Sequence, residues 1–247
     1  MSSITKHIPN ILTSLNLLFG SLSIVFAIQG DLLQAAYLLL IAYHCDIFDG
    51  LAARFLKVQS EMGKELDSLA DVVSFGLGPA AILFELLKTA LDIDQISLLP
   101  SEFSSYLVLI PFILPVFAAL RLARFNLDDG SSKYFKGMPT PANALMVLSI
   151  PLIANYHPDS FSVLGMSSAT GIIVYSLLAS TLMVSPIPFY TLKMKGFSWK
   201  VNKLTYIFLM GVAATLIVFG YTGLFLIVIL YLVYGLVLTQ ILEKEKS

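Results

Sequence analysis

Long apolar stretches follow one another along almost the whole chain, separated by short polar segments. A helix needs about 20 apolar residues to cross the hydrocarbon core of a bilayer. Stretches of about this length predict eight spans, at residues 11–29, 32–54, 65–88, 104–126, 140–156, 166–185, 203–220 and 222–242. Several spans carry polar residues on one face, which is typical of a bundle with a polar interior. The pattern therefore predicts an all-α protein, a polytopic transmembrane helix bundle.

The composition supports this interpretation. Of the 247 residues, 57% are hydrophobic and 13% are charged, whereas about 25% are charged in an ordinary soluble domain. The mean hydropathy is +0.84. We therefore expect an integral membrane protein in contact with the lipid bilayer. The net charge of −1 identifies no partner, and no nucleic acid is expected to bind.

The basic residues lie almost entirely on one side of the predicted bundle. If the N-terminus is cytoplasmic, only Lys88 falls on the outer side. The cytoplasmic residues are Lys6, Arg54, Lys57, Lys64, Arg121, Arg124, Lys133, Lys136, Lys193, Lys195, Lys200, Lys203, Lys244 and Lys246. This distribution follows the positive-inside rule. It predicts both termini on the cytoplasmic face of the cell membrane, with residues 1–10 lying at the interface.

Four carboxylates stand out, because ionisable side chains at the edge of a membrane are costly to keep. Two acids lie in the second predicted span and two in the third. The residues that share one helical face are Asp46, Asp49, Gly50, Ala53 and Arg54, followed by Gly63, Asp67 and Asp71. The polar link at residues 57–62 is short, so it brings the two faces together. The spacing therefore predicts one cluster of four acids.

Such a cluster suits one or two divalent cations, because the acids repel one another unless a cation neutralises them. Oxygen ligands without a convergent set of His and Cys favour Mg2+, Mn2+ or Ca2+ over zinc. Gly50 and Ala53 leave room for a bulky ligand beside the helix, and Arg54 suits phosphate. The alternative is that the small residues only permit helix packing and that the acids pair with neighbouring Lys and Arg.

The string D-x2-D-G-x2-A-R-x8-G-x3-D-x3-D, which residues 46–71 match at every fixed position, resembles the signature of the CDP-alcohol phosphotransferase family. The resemblance implies a metal-dependent transferase of phospholipid biosynthesis, and a homodimer. It implies Asp46, Asp49 and Asp67 as metal ligands, and Asp71 as a ligand or general base. The implied residues for cytidine diphosphate are Asn10, Thr13, Gly50, Ala53, Arg54 and Gly63.

Later segments resemble the phosphatidylserine synthase branch of this family in bacteria and archaea. They are A-R-F-N at residues 123–126, Y-F-K-G-M-P-T-P at 134–141 and V-S-P-I-P-F-Y at 184–190. The implied substrates are CDP-diacylglycerol and L-serine. Implied ligands of the serine carboxylate or of phosphate are Arg121, Arg124, Lys133 and Lys136. The implied domain division is an interfacial segment at 1–10, a six-helix catalytic core at 11–200 and a two-helix extension at 201–247.

Other functions stay open at this point. Glycerol 3-phosphate, inositol phosphate or choline could replace serine as the acceptor. A cation transporter is a further alternative, but its site should lie near the bilayer midplane. The acids lie instead beside the turn at residues 57–62, which disfavours transport.

Two further patterns bear on the site. The first is a polar and small-residue stripe at helical spacing, Asn10, Thr13, Asn16 and Gly20. Such a stripe serves either helix packing or ligand binding. The second follows the last acid and comprises Ser74, Phe75, Gly76, Gly78 and Pro79. It predicts a loosened or kinked helix, because Gly and Pro interrupt helical regularity.

Overall fold

The computed structural model describes residues 7–58, 60–94, 104–127, 134–163, 165–190 and 199–244. Its α-helices are α1 Ile8–Ile28, α2 Leu32–Leu56, α3 Glu61–Asp71, α4 Gly78–Ala90, α5 Ser104–Leu107, α6 Ile113–Leu127, α7 Thr140–Tyr156, α8 Pro158–Val163, α9 Ala169–Val184 and α10 Trp199–Lys244. A π-helix, Val72–Leu77, joins α3 to α4, and a 3₁₀ turn, Ile110–Phe112, precedes α6. The prediction of an all-α bundle is confirmed.

Among the described residues, five helical segments are long and apolar enough to cross a membrane, against the eight spans that the sequence predicts. They are Ile8–Ile28, Leu32–Leu56, Glu61–Ala90, Ser105–Leu127 and Thr205–Leu236, and Ala169–Val184 is a shorter apolar helix. The segment Glu61–Ala90 has 67% of its apolar window buried, against 28% or less for the other four. The helix that carries Asp67 and Asp71 therefore lies at the centre of the membrane bundle.

Local capping fixes the turns around the acidic helices. Asp31 accepts a hydrogen bond from the backbone N–H of Gln34 at the start of α2. Lys57 ends α2 in the left-handed conformation, with φ of 54°. Ser60 then caps α3 by accepting from the N–H of Gly63, and caps of this kind contribute about 1 kcal/mol each. The tight α2–α3 turn sets the two acidic faces against each other.

The π-helix lies where the sequence predicts a loosened helix, directly after Asp71. Pro79 occupies the first turn of α4, where a missing N–H costs nothing. The Ser74 hydroxyl donates to the backbone carbonyl of Asn16 over 3.0 Å. A Cβ added at Gly20 would lie only 2.8 Å from the Cα of Ser74. Gly20 therefore serves close packing between α1 and the π-helix.

The C-terminal helix α10 is a hairpin. Its backbone breaks at Gly220, with φ of 52° and ψ of −127°. The Phe208 ring lies 5.2 Å from the Tyr234 ring, which requires the chain to fold back on itself. The predicted spans 203–220 and 222–242 thus appear as the two arms of this hairpin.

A short antiparallel ribbon joins two of the segments singled out in the sequence. β1 Tyr134–Lys136 pairs with β2 Pro188–Tyr190, with Phe135 opposite Phe189. Gly137 follows β1 with φ of +81°, and its N–H donates to the carbonyl of Ile187 over 3.0 Å. The ribbon ties the chain before α7 to the chain after α9, at the end of the bundle where α6 finishes.

Candidate metal and nucleotide site

The acids of α2 face those of α3. Asp46, Asp49 and Asp67 each offer a carboxylate oxygen, and these oxygens lie within 4.8 Å of one another. Asp71 lies one helical turn beyond Asp67 and interacts electrostatically with Asp46, Asp67 and Arg121. Asp49 is only 6% exposed and Asp71 only 7%. The structure therefore brings all four predicted acids together, with Asp49 and Asp71 buried and Asp46 and Asp67 half-buried.

Two oxygens of this cluster have no hydrogen-bond partner in the part of the chain that the structure describes. They are Asp67 Oδ1 and Asp71 Oδ1, both buried. Among the described residues, the one ion pair joins Lys88 to Glu85 over 3.1 Å, and it lies outside the cluster. The alternative that the acids pair with neighbouring Lys and Arg therefore finds no support in the described part of the chain. Buried charges without a partner are strongly destabilising, which calls for a bound cation.

Thr13 orients one of the acids. Its hydroxyl lies 2.6 Å from Asp49 Oδ2 and 3.0 Å from the carbonyl oxygen of Pro9. A hydrogen bond to a charged acceptor is the stronger of the two, so the hydroxyl donates to Asp49. Thr13 is itself 3% exposed. One helical turn of the α1 stripe thus faces the acids, while Gly20 faces the π-helix.

A cleft of about 620 Å³ opens beside the acids. Its walls are Pro9, Thr13, Asp49, Gly50, Ala53, Arg54, Val58, Ser60, Glu61, Gly63, Lys64 and Asp67. Five of the six residues expected to contact cytidine diphosphate are among them. The sixth, Asn10, lies behind Gly63, since a Cβ there would be 3.1 Å from Asn10 Oδ1. The volume falls in the usual range for small-molecule sites, about 300–1,000 Å³.

Gly50 leaves part of the cleft open. The nearest atom to a Cβ added at Gly50 would be a guanidinium nitrogen of Arg54, 3.8 Å away. Arg54 Nε donates to the carbonyl of Gly50 over 2.9 Å. The Arg54 guanidinium is therefore held along the helix, at the edge of the space that Gly50 leaves free.

Lys64 is a cleft residue that the sequence interpretation did not include. Its ammonium donates to the carbonyl of Asn126 over 3.1 Å. Asn126 in turn donates from Nδ2 to Ser68 Oγ over 2.8 Å. These bonds tie α3 to the end of α6 and keep a second cation near the cleft. The sequence contained a signal for this residue, because Lys64 directly follows Gly63 of the acidic motif.

The four basic residues expected at the acceptor site have different surroundings. Arg121 Nη1 donates to Thr140 Oγ1 over 3.2 Å, and the buried Arg121 Nε has no partner within the described ranges. Arg124 is exposed and donates to the carbonyl of Val184 over 3.1 Å, which caps the C-terminus of α9. Lys133 lies outside the described residues, and so does the side chain of Lys136. Of the two arginines, Arg121 is the one that interacts electrostatically with an acid of the cluster, Asp71.

Comparison with known proteins gives a consistent result. A family model described as CDP-alcohol phosphatidyltransferase matches residues 6–182. The chain is 30% identical to a CDP-diacylglycerol–serine O-phosphatidyltransferase of Helicobacter pylori over 232 residues, which cover 93% of this chain and 89% of that protein.

Two further relatives match a shorter part. One bears the same name in Mycobacterium leprae and is 36% identical over 150 residues, 58% of this chain and 46% of the relative. The chain thus spans about half the length of that protein. The other is the archaetidylserine synthase of Methanothermobacter thermautotrophicus, 34% identical over 152 residues, 60% of this chain and 59% of the relative.

Proposed function

The chain belongs to the CDP-alcohol phosphatidyltransferase family, and we propose that it transfers the phosphatidyl group of CDP-diacylglycerol to the hydroxyl of L-serine, with release of CMP. One observation carries the chemistry. Carboxylate oxygens of Asp46, Asp49 and Asp67 lie within 4.8 Å of one another, and two of these acids line a cleft large enough for a nucleotide. The names of the relatives support serine as the acceptor.

The acids fit a divalent metal centre. Their donor atoms are all carboxylate oxygens, the type that Mg2+ and Mn2+ prefer and that Ca2+ also accepts. The orphaned oxygens of Asp67 and Asp71 are ready to ligate. We propose that Asp46, Asp49, Asp67 and Asp71 hold two Mg2+ or Mn2+ ions. When bound, such ions neutralise the pyrophosphate and disperse charge on the departing CMP.

The cleft provides the nucleotide site. Gly50 and Ala53 let the diphosphate approach the α2 backbone, and Arg54 and Lys64 supply positive charge at the edges. The acyl chains extend sideways into the bilayer, because the cleft opens at the ends of membrane-crossing helices. This arrangement joins a polar headgroup site to a lipid environment.

Asp71 is proposed as the general base. The serine oxygen forms a bond to the phosphorus that carries diacylglycerol, while the bond from that phosphorus to the CMP oxygen breaks. The hydroxyl proton passes to Asp71, and the electron pair of the broken bond leaves with CMP. A carboxylate is a weak base for an alcohol, so proton transfer accompanies bond formation. Burial of Asp71 on the central helix keeps its carboxylate away from bulk water.

Arg121 is the proposed partner of the serine carboxylate. It lies close enough to Asp71 for electrostatic interaction and has a buried N–H to offer. Arg124 is occupied at the end of α9. Lys133 and Lys136 stay predictions from the sequence.

The distribution of basic residues indicates on which side of the membrane the site lies. The acid cluster lies at the bundle end that carries Arg54, Lys57, Lys64 and Arg124, and basic residues favour the cytoplasmic side. We therefore propose an active site at the cytoplasmic face of the cell membrane. The domain division at residues 10 and 200 and the homodimer also stay predictions.

An acceptor panel tests the proposal. Purified protein is mixed with CDP-diacylglycerol and Mg2+ or Mn2+, and CMP release is compared for serine, glycerol 3-phosphate, inositol phosphate and choline. We expect serine to be used fastest. Asp46→Asn should abolish release, whereas the neighbouring Cys45→Ser should retain most activity. A faster reaction with another acceptor would refute serine and leave the metal-dependent transferase standing.

A further inference from the structure

Two buried N–H donors, one on α6 and one on α7, have no hydrogen-bond partner among the described residues. They are Arg121 Nε and Asn143 Nδ2, and they are among the six buried side-chain atoms without a hydrogen bond in the described ranges. Asn143 is 0% exposed. Buried polar groups are almost always hydrogen-bonded, so an unpaired donor in a binding region indicates a ligand that accepts. Metal ions explain the orphaned acid oxygens but not these donors.

Thr140 connects the two donors. Its hydroxyl oxygen accepts a hydrogen bond from Arg121 Nη1 over 3.2 Å. Thr140 and Asn143 are three residues apart on α7, which places them on one helical face. Both are completely buried. The unpaired N–H groups of Arg121 and Asn143 therefore belong to one polar region inside the bundle.

Tyr175 fixes the orientation of the Asn143 amide. Its hydroxyl, reaching from α9, donates to Asn143 Oδ1 over 2.8 Å. The amide oxygen is thereby occupied, and the NH₂ group is the free end. Tyr175 is 9% exposed, so water does not compete for this bond.

We propose that Asn143 determines acceptor specificity by donating from Nδ2 to the carboxylate of the amino-acid acceptor, beside Arg121 Nε, with Tyr175 as a positioning residue. A carboxylate has two oxygens that only accept, which matches two unpaired donors. Arg121 also interacts electrostatically with Asp71, the proposed general base. The inference rests on the proposed function and extends it to a residue outside the acidic motif.

The test compares serine with ethanolamine, which is serine without its carboxylate. CMP release is measured for the full-length protein with CDP-diacylglycerol and Mg2+ or Mn2+. In Asn143→Ala we expect the KM for serine to rise about ten- to a hundredfold, the range for losing one hydrogen bond to a charged group. The KM for CDP-diacylglycerol and the rate with ethanolamine should stay within about twofold. Tyr175→Phe should shift the serine KM in the same direction by less.

Further variants separate recognition from folding. Asn143→Asp keeps the acceptor for Tyr175 but replaces the free donor by an oxygen, and should raise the serine KM at least as much as alanine does. The double variant Asn143→Ala with Tyr175→Phe leaves no orphaned hydroxyl if the single variant is unstable. Ser149→Ala is the matched control, since Ser149 is buried on the same helix and bonds only within it.

Each outcome bears on a different claim. A selective rise in the serine KM supports the inference. Equal losses with serine and ethanolamine, or a rise in the KM for CDP-diacylglycerol alone, would overturn it while serine transfer by the unmodified protein still stood. Failure of the unmodified protein to release CMP with serine would overturn the proposed function and the inference together.

Discussion

Replacing Thr13 by valine removes one hydroxyl and keeps the shape of the side chain. That hydroxyl lies 2.6 Å from Asp49 Oδ2, inside a region where Thr13 is 3% and Asp49 6% exposed. A hydrogen bond to a charged group contributes about 1.5–3 kcal/mol. Loss of the group that orients a metal ligand typically weakens metal binding about ten- to a hundredfold. We therefore expect Thr13→Val to need about ten to a hundred times more Mg2+ or Mn2+ for half-maximal activity.

The assay is CMP release at saturating CDP-diacylglycerol and serine, titrated with each metal. Maximal activity should largely recover at high metal concentration, because all four acids are still present. Thr13→Ser keeps a hydroxyl and should restore most of the metal affinity. Ser21→Ala is the matched control, since its hydroxyl lies on the same helix and donates to the carbonyl of Leu17.

One result would refute this reasoning. Thr13 also lines the cleft, where the family resemblance implies contact with the nucleotide. If Thr13→Val raised the KM for CDP-diacylglycerol and left the metal requirement unchanged, the hydroxyl would serve the nucleotide rather than Asp49.

The remaining predictions concern the metal centre, helix packing and topology. Asp67→Asn should abolish turnover and weaken Mn2+ binding measured by calorimetry, because one substitution removes both a charge and a ligand; full activity at ordinary metal concentration would exclude a two-ion site. Gly20→Ala should lower the free energy of unfolding by about 1–3 kcal/mol through overpacking, since the added Cβ would lie 2.8 Å from Ser74 Cα. Thermal unfolding measures this loss, and Gly211→Ala is the control, because its Cβ would make an ordinary contact at 3.8 Å. In a background without Cys45, a thiol at Lys57 should react only from the cytoplasm and one at Asp159 only from outside, and the reverse would invert the topology.

Local properties of the chain were sufficient for much of this structure. The length of an apolar stretch and the spacing of residues on a helix depend on neighbours in sequence, so the first four spans and the shared face of the acids were predictable. The irregular helix after Asp71 was also predictable from neighbours in sequence, namely Gly76, Gly78 and Pro79. Even the C-terminal hairpin appeared as two spans, because Gly220 divides the apolar run.

Hydrophobicity does not tell which face of a membrane helix is inside, because lipid is as apolar as a protein core. Ile217 is 85% exposed, whereas Leu39 and Ile82 are completely buried, yet all three have the same apolar character. Periodicity alone likewise could not say which part of the α1 stripe meets a ligand. Packing places Thr13 against Asp49 and Gly20 against Ser74.

The sequence by itself determined the membrane bundle, the acidic motif and the family, because these depend on composition and on spacing within single helices. The tertiary structure decided which side chains from different helices come together. Arg121 and Arg124 lie three residues apart on α6, yet Arg121 interacts electrostatically with Asp71, whereas Arg124 caps α9. Asn143 and Tyr175 come together from different helices, 32 residues apart. Contacts between helices depend on how the helices cross, and no pattern along one helix contains that information.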